Sequence, residues 1–329
     1  MTTQKTSFQK VIDELLEGTQ VLSRRSLQEF SDMEPASIQS LMEAWPRVQP
    51  DTKRTLLEGL QALSETDTLV SFDDFARALL ADPDPEVRAR AIRLLEECDD
   101  LKLIPQFIKT MRSDENIDAR AQAASALGKY VQLGELEEIP EKTQRVVEDA
   151  LLEKANSEDK LLVRRNALEA LGFSSRPEVV TLIESAFHRE NPDWQASALF
   201  AMGRSADDRW EELILASVLD ELPTVRLAAV EAAGELGLAS AGPVLLKVLE
   251  DEEDDEIDSA AIWSLSQIGG EDARVYLESL IDLAEDDDQL EYLQEALDNL
   301  AFTEDMAKFD LLNLDPDEQL MDIDNEGDE

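Results

Sequence analysis

The residues Asp82-Pro-Asp-Pro-Glu-Val-Arg-Ala-Arg-Ala91, continued to Leu95, decide the fold of this chain. If Val87 is position 0 of a helix, Ala91 is position 4 and Leu95 is position 8. At about 100° per residue, these positions lie within about 80° of one another and form one buried stripe. The small residue at position 4 allows a second helix to approach closely. An arginine at position 1 and a turn before the stripe complete the unit.

The same unit recurs along the chain. Position 0 falls at residues 87, 119, 163, 194, 225 and 257, which gives steps of 32, 44, 31, 31 and 32 residues. Weaker copies begin at Leu22, Thr52 and Tyr292. A near-constant step with one outlier indicates a stacked array of repeats. A second apolar helical stretch follows each block, so the unit is helix A, turn, helix B, turn.

These patterns predict an all-α fold, a right-handed α-solenoid of about nine helix pairs. We expect the solenoid to occupy residues 1–302. An N-terminal cap and weak repeats fill 1–80, clear repeats fill 81–284, and a degenerate repeat fills 285–302. Residues 303–329 are expected to form an acidic, disordered tail with a short apolar segment.

Glycine and proline predict where helices A end and begin. Glycine occupies position 9 in four copies, and we predict that it closes each helix in a left-handed backbone conformation. The four are Gly128, Gly172, Gly203 and Gly234. The pairs Asp82-Pro83 and Asn191-Pro192 are expected to supply the N-cap and the first turn of their helices.

The repeated pattern Asp-Pro-x-x-x-Val-Arg-x-x-Ala-x-x-x-Leu-Gly resembles HEAT repeats. It is most similar to the short bacterial kind found in phycobilisome-lyase HEAT-like proteins. The resemblance covers roughly residues 20–300. It implies a solenoid of helix pairs and says little about function, because the family includes scaffolds, adaptors and a few enzymes.

Charge is the most unusual global feature. The chain holds 75 acidic and 30 basic residues, a formal net charge of −45. Residues 250–329 alone hold 30 Asp and Glu against Arg274 and Lys308. Such charge repels nucleic acid and anionic membranes, so we expect neither as a partner. It leaves two interpretations, a solvated and highly soluble surface or a surface for a protein partner with a basic patch.

Four arginines share position 1. They are Arg88, Arg120, Arg164 and Arg226. Either they form an anion-binding ladder, or each contacts a carboxylate or carbonyl in a neighbouring inter-repeat turn, and we favour the structural interpretation. Gln195 and Asp258 break the series in later copies.

Three groups of residues are candidates for partner binding. Position 6 points away from the buried stripe, yet Phe200 and Trp263 occupy it; these aromatics either contact a partner or are covered by neighbouring helices A. The second group is the acidic run of Asp251, Glu252, Glu253, Asp254, Asp255 and Glu256. The third group, Phe309, Leu311 and Leu312, either caps the last repeat or inserts into a partner.

No catalytic, cofactor-binding or metal-binding residue is predicted. His188 is the single histidine, which excludes the paired His-Glu iron ligands that a resemblance to deoxyhypusine hydroxylase would imply. The acidic runs lack the Asp-x-Asp-x-Asp-Gly spacing of a calcium loop. Residues Met1 to Lys10 lack the apolar core of a signal peptide, and no stretch approaches the length of a membrane span.

We therefore expect a cytoplasmic, monomeric, non-enzymatic scaffold or adaptor that binds a protein partner through its acidic solenoid surface. The family resemblance leaves one alternative, a bilin lyase-like subunit or chaperone that holds a tetrapyrrole-bearing protein. A groove for tetrapyrrole propionates should be basic, whereas this chain is strongly acidic.

Overall fold

The computed structural model describes residues 2–18, 22–252, 254–284 and 286–313; of residues 2–7, 251 and 307–313 it describes the backbone alone. Within these ranges every regular element is helical and no strand is present. The prediction of an all-α solenoid is thereby confirmed. The chain divides into two compact units, Met1–Leu182 and Ile183–Glu329.

Eighteen α-helices lie in the described residues. The first ten are α1 (Thr2–Leu16), α2 (Arg24–Gln28), α3 (Pro35–Ala44), α4 (Pro50–Thr66), α5 (Asp73–Leu79), α6 (Pro85–Leu94), α7 (Ile104–Ser113), α8 (Ile117–Glu135), α9 (Glu141–Ala155) and α10 (Leu161–Ala170). The others are α11 (Pro177–Phe187), α12 (Pro192–Arg204), α13 (Glu211–Ser217), α14 (Pro223–Glu235), α15 (Gly242–Asp251), α16 (Asp255–Ile268), α17 (Glu271–Ile281) and α18 (Asp287–Asn313). The even-numbered helices are the predicted helices A.

The buried stripe lies where the sequence pattern places it. In the first clear repeat Val87, Ala91 and Leu95 are all fully buried. Positions 0, 4 and 8 are likewise buried in α8, α10, α12, α14 and α16. Truncating a buried leucine of this kind to alanine costs about 2–5 kcal/mol, so each repeat depends on its own stripe.

Helices A form one layer in each unit. In the first unit α4, α6, α8 and α10 pack in series, and in the second unit α12, α14, α16 and α18 do the same. Helices B cover the other side of the stripe, since α7 packs on α8, α13 on α14, and α15 on α16.

Two helix starts test the expected caps. Asn191 caps α12 as predicted, because its side chain accepts a hydrogen bond from the Trp194 backbone N–H at 3.0 Å. The prediction for Asp82-Pro83 is wrong by two residues. Helix α6 begins at Pro85 with Asp84 as its N-cap. Asp82 instead accepts a hydrogen bond from the Asp84 backbone N–H at 2.8 Å and organises the turn before the cap.

The C-terminal boundary differs from the expected one. Helix α18 continues past residue 303 and ends at Asn313, so the backbone there is helical where we expect the tail to begin. Residues 314–329 lie outside the described residues.

Candidate functional site

The arginine at position 1 joins consecutive repeats. Arg88 donates from Nε and Nη2 to the two carboxylate oxygens of Asp114, at 2.8 and 2.7 Å. Its Nη1 donates to the backbone carbonyl of Asp82 at 2.8 Å. Asp82 precedes the arginine's own helix, whereas Asp114 precedes the next helix A. One guanidinium therefore ties two successive inter-repeat turns together.

The same geometry recurs in two further repeats. Arg120 is bidentate to Asp159, at 3.1 and 2.7 Å, and donates to the Asp114 carbonyl. Arg226 is bidentate to Glu252, at 2.7 and 3.2 Å, and donates to the Asp220 carbonyl at 2.7 Å. Arg164 donates from Nε to the Ala155 carbonyl at 3.1 Å. Because the guanidinium groups are engaged in this way, we propose that the series holds the repeats together.

Lys53 begins this series, and our sequence analysis missed it. It follows Thr52, the start of a weak copy, so it occupies position 1. Its Nζ lies 3.5 Å from the Asp82 carboxylate, and both residues are buried. The Trp45 indole N–H donates to the same carboxylate at 2.6 Å. Its position in the repeat is enough to identify this residue, provided that lysine is allowed to replace arginine at position 1.

The series is reversed at α16. Asp258 occupies position 1 there and is half-buried. Burial raises the pKa of Asp258, and the nearby carboxylates of Asp255 and Glu252 raise it further. In the part of the chain that the structure describes, no basic side chain lies within salt-bridge distance of Asp258. At α16, therefore, a carboxylate stands at the position where four other repeats carry arginine.

The acidic run before α16 divides by role. Glu252 is engaged by Arg226 and also accepts a hydrogen bond from the Asp254 backbone N–H at 3.2 Å. Asp254 is the N-cap of α16 and accepts from the Glu256 backbone N–H at 3.0 Å. Asp255 and Glu256 are exposed in the first turn. The Asp251 side chain and Glu253 lie outside the described residues.

Phe200 and Trp263 both lie on the open side of the helix A layer, on α12 and α16. Phe200 is half-buried, and the Arg204 guanidinium lies over its ring at 4.1 Å. Trp263 is 38% exposed. Its ring stacks on Tyr292 of α18 with centroids 6.5 Å apart and an interplanar angle of 29°. Phe200 is therefore covered in part by Arg204 of its own helix, whereas Trp263 remains partly exposed beside Tyr292.

Two carboxylates of α14 lie between these aromatics in the layer. Glu231 occupies position 6, as Phe200 and Trp263 do in their repeats, and Glu235 occupies position 10. Both residues are exposed, but the protein around the Glu231 carboxylate partly desolvates it and raises its pKa, and Glu235 and Glu256 add repulsion. Desolvation likewise raises the pKa of Glu235, while Arg204 partly offsets the effect. We define the acidic–aromatic face as Phe200, Glu231, Glu235, Glu256 and Trp263.

Phe302 extends the acidic–aromatic face onto α18. It is 65% exposed and occupies position 10 of its repeat, as Glu235 does in α14. It lies outside position 6, so the sequence pattern at that position does not include it. The signal was available, because positions 6 and 10 lie about 40° apart on the same side of a helix.

Glycine at position 9 brings these helices together, and the predicted left-handed caps are wrong. Gly203 and Gly234 lie inside α12 and α14 and do not have positive φ. A Cβ on Gly203 would lie 2.9 Å from the Ala232 Cα, and one on Gly234 would lie 2.7 Å from the Ser264 Cα. The missing side chains let α12, α14 and α16 approach closely. The close approach therefore brings together the three helices that carry Phe200, Glu231 and Trp263.

The single cysteine and the single histidine of the sequence are not among the residues of this face. Cys98 is buried, and burial together with a hydrogen bond involving Asp73 raises the pKa of its thiol to about 11. His188 is exposed, and its ring contacts Phe187. Among the described residues no group of three or more His, Cys, Asp or Glu is placed to hold a metal ion.

The apolar tail candidates remain predictions. Phe309, Leu311 and Leu312 belong to the backbone of α18, but their side chains lie outside the described residues. Within the described ranges, no helix has both the length and the apolar character needed to cross a bilayer.

Several solved structures are similar to this chain in fold. The complex of CpcE and CpcF of phycocyanin lyase from Nostoc sp. is 20% identical, with 69% of this chain and 94% of that chain covered and a TM-score of 0.46. Human deoxyhypusine hydroxylase in complex with glycerol is 17% identical, with 81% and 97% covered and a TM-score of 0.35. Kap121p bound to Pho4p is 13% identical, with 89% and 38% covered and a TM-score of 0.46. At these identities the likeness concerns the helical architecture alone.

No curated protein matches the sequence. The family model for HEAT repeats matches residues 73–148, 179–265 and 212–301. The matched segments cover more than half of the chain and include the copies that begin at 87, 119, 194, 225 and 257, but not the copy that begins at 163. The chain belongs to the HEAT-repeat family.

Proposed function

We propose that this protein is a non-enzymatic scaffold that binds a protein partner through the acidic–aromatic face, and that the partner presents a basic patch. The observation that carries the proposal is Trp263. It is a large aromatic residue, exposed on a helix A and stacked on Tyr292, with Glu256 on its own helix and Glu231 on the helix before it. Exposed aromatics set among polar residues are typical of interaction hot spots.

The charge of this region supports a basic partner. Glu231, Glu235 and Asp258 all have raised pKa values because of desolvation, and carboxylates around Glu231 and Asp258 add repulsion. A cationic partner would relieve that repulsion and replace part of the lost hydration. Charge of one sign also speeds encounter with an oppositely charged surface, and salt screens this effect.

Glu252 and Asp254 have structural roles, so fewer carboxylates of the acidic run remain for contact with a partner. Glu252 holds Arg226, and Asp254 caps α16, so their carboxylates are already engaged. Asp255 and Glu256 are exposed in the first turn of the same helix. We therefore assign the acidic contribution to Asp255 and Glu256, together with Glu231 and Glu235 of α14.

A pull-down from native lysate tests the proposal. The full chain, Trp263→Ala and the control Val275→Ala serve as baits at low and at high salt. Val275 is a more exposed apolar residue on α17, a helix B. We expect one protein to be retained in stoichiometric amount by wild type and Val275→Ala, released by salt, and lost from Trp263→Ala.

Two outcomes contradict the proposal. Equal retention by Trp263→Ala would place the contact elsewhere on the protein. Visible absorbance acquired on mixing the chain with a free bilin would favour the lyase-like alternative.

A further inference from the structure

We propose that the acidic–aromatic face recognises a linear, extended segment whose lysine or arginine side chains recur at every third residue. This inference rests on the proposed function and specifies the chemistry of the partner. The segment crosses α14, α16 and α18 and places one cationic side chain against each helix, with the central contact at Trp263 of α16.

The chain itself contains one example of this contact. At α12 the Arg204 guanidinium covers the Phe200 ring at 4.1 Å, and its charge counteracts the desolvation of Glu235 on the next helix. Arg204 is at position 10 and Phe200 at position 6 of the same repeat. An aromatic ring, a cation over it and a carboxylate on the neighbouring helix thus form one arrangement on this face.

At α16 the aromatic and the carboxylates are present, but the cation is replaced. Gln267 occupies position 10 there, the place of Arg204, and it lies against Gly234 of α14. Trp263 therefore has an amide where Phe200 has a guanidinium. Ammonium and guanidinium groups bind the face of tryptophan more strongly than that of phenylalanine. A cation from a partner would complete the arrangement at Trp263, with Glu231 and Glu256 as its counter-charges.

The distance between successive helices A sets the spacing that the cationic side chains of the bound segment must have. Packed neighbouring helices lie about 8–10 Å apart. A chain in the polyproline II conformation advances about 3.1 Å per residue and returns to the same side every three residues, after about 9 Å. A β-strand alternates sides every residue and does not match this step. Side chains three residues apart on a polyproline II segment therefore fall on successive helices A.

Charge favours a protein segment over nucleic acid as the occupant. Glu231 has no basic side chain within salt-bridge distance among the described residues, and its pKa is raised, first by desolvation and then by Glu235 and Glu256. A phosphate backbone would add to that repulsion, whereas a cationic segment lowers it.

Fluorescence anisotropy with labelled synthetic peptides tests the inference on the full chain. The first peptide carries lysine at every third position, with alanine and serine between. The second is identical but carries N-acetyl-lysine, and the third has the same composition with lysine at every second position. We expect the first peptide to bind about tenfold more tightly than either of the others. Equal binding of the first two overturns the charge requirement, and equal binding of the first and third overturns the spacing.

Variants locate the contact. Trp263→Leu keeps an apolar side chain but removes the aromatic ring, and we expect it to weaken the first peptide about tenfold. Trp263→Phe keeps a ring and should recover most of that loss. Glu231→Gln should weaken binding more than Glu278→Gln, an equal change of charge at an exposed position on α17. Wild-type affinity in both Trp263→Leu and Glu231→Gln would overturn the inference.

The inference and the proposed function fail in different ways. If Trp263→Ala loses a partner from lysate while none of the peptides binds wild type, the scaffold proposal holds and the linear basic segment is wrong. If peptides bind at Trp263 but Trp263→Ala retains its lysate partner, the face recognises basic segments and the scaffold proposal has the wrong surface.

Discussion

The guanidinium of Arg88 is shared between two turns, with its Nε and Nη2 on the Asp114 carboxylate and its Nη1 on the Asp82 carbonyl. Both side chains of the pair are largely withdrawn from solvent, with 13% of Arg88 and 9% of Asp114 exposed. The bond therefore fixes the distance between the starts of α6 and α8. The contact recurs at Arg120 and Arg226, and at Arg120 it bridges the longest step of the series, so it joins successive turns whatever the length of helix B between them.

Replacing Arg88 with alanine should destabilise the protein by about 3 kcal/mol, because it leaves the Asp114 carboxylate buried without its partner. The matched control is Arg112→Ala. Arg112 also forms an ion pair, with Glu153 at 2.6 Å, but both side chains are exposed, so about 0.5 kcal/mol is expected. Urea unfolding followed by circular dichroism measures both. Similar losses for the two variants would show that the buried contact is no stronger than a surface pair.

Acid should destabilise the protein through the same contacts. Burial acts to raise the pKa of Asp114 and Asp159, but hydrogen bonds from Arg88 to Asp114, and from Arg120 and Lys154 to Asp159, outweigh it and lower both pKa values. A carboxyl group whose pKa is lowered in the folded state stabilises the fold at pH values above its ordinary pKa of about 3.9. This contribution is lost as the pH falls through the folded-state pKa.

The Asp159→Asn variant checks that sign. It should lower stability at pH 7 by about 2 kcal/mol, and its difference from wild type should narrow only well below the ordinary carboxyl pKa, so the acid side of its urea midpoint plotted against pH is flatter than that of wild type. Asp51→Asn, at a carboxylate that is 94% exposed, should leave the dependence as in wild type. An Asp159→Asn curve parallel to that of wild type would contradict the assignment.

Glu235 should show the opposite sign. Desolvation raises its folded-state pKa, so the group favours folding below its ordinary pKa and that contribution is lost as the pH rises through the raised value. Because Glu235 remains exposed, solvent screens this effect, and Glu235→Gln should stabilise the protein at pH 7 by at most about 0.5 kcal/mol and give no gain at pH 4. Thermal unfolding at both pH values measures this, with Glu278→Gln as the control for net charge. A loss of stability at pH 7 would show that Glu235 supports the fold.

Gly234→Ala should be clearly destabilising, by about 1–3 kcal/mol, because the new Cβ would lie 2.7 Å from the Ser264 backbone and would force α14 and α16 apart. Gly242→Ala is the control, since a Cβ there meets nothing within 4 Å. It should be neutral or stabilising by up to about 1 kcal/mol. Equal stability of the two variants in urea would contradict close packing at position 9.

The repeat could be predicted from the sequence because its buried apolar residues recur at a regular spacing. Val87, Ala91 and Leu95 share one side of a helix, and burial of that side is a requirement of any amphipathic helix. The sequence predicted only that each arginine contacts a carboxylate or a carbonyl. It did not predict which residue, because the length of helix B determines which turn supplies the partner, here Asp114.

Other features depend on tertiary contacts that a single repeat does not encode. A glycine at the end of a helical pattern fits both a left-handed cap and a close approach between helices, and the position of Ser264 decides this for Gly234. The cap of α6 is Asp84, because Asp82 is held by Lys53 and Trp45 from the preceding repeat. Phe302 and the stacking of Trp263 on Tyr292 likewise follow from which helices are neighbours.

The most direct test of the acidic–aromatic face is hydrogen–deuterium exchange of the full chain, with and without the partner that the pull-down retains. The account predicts slower exchange on binding in α14 and α16, which carry Glu231 and Trp263, with little change in α15 and α17. Protection confined to α15 and α17, with α14 and α16 unchanged, would contradict it.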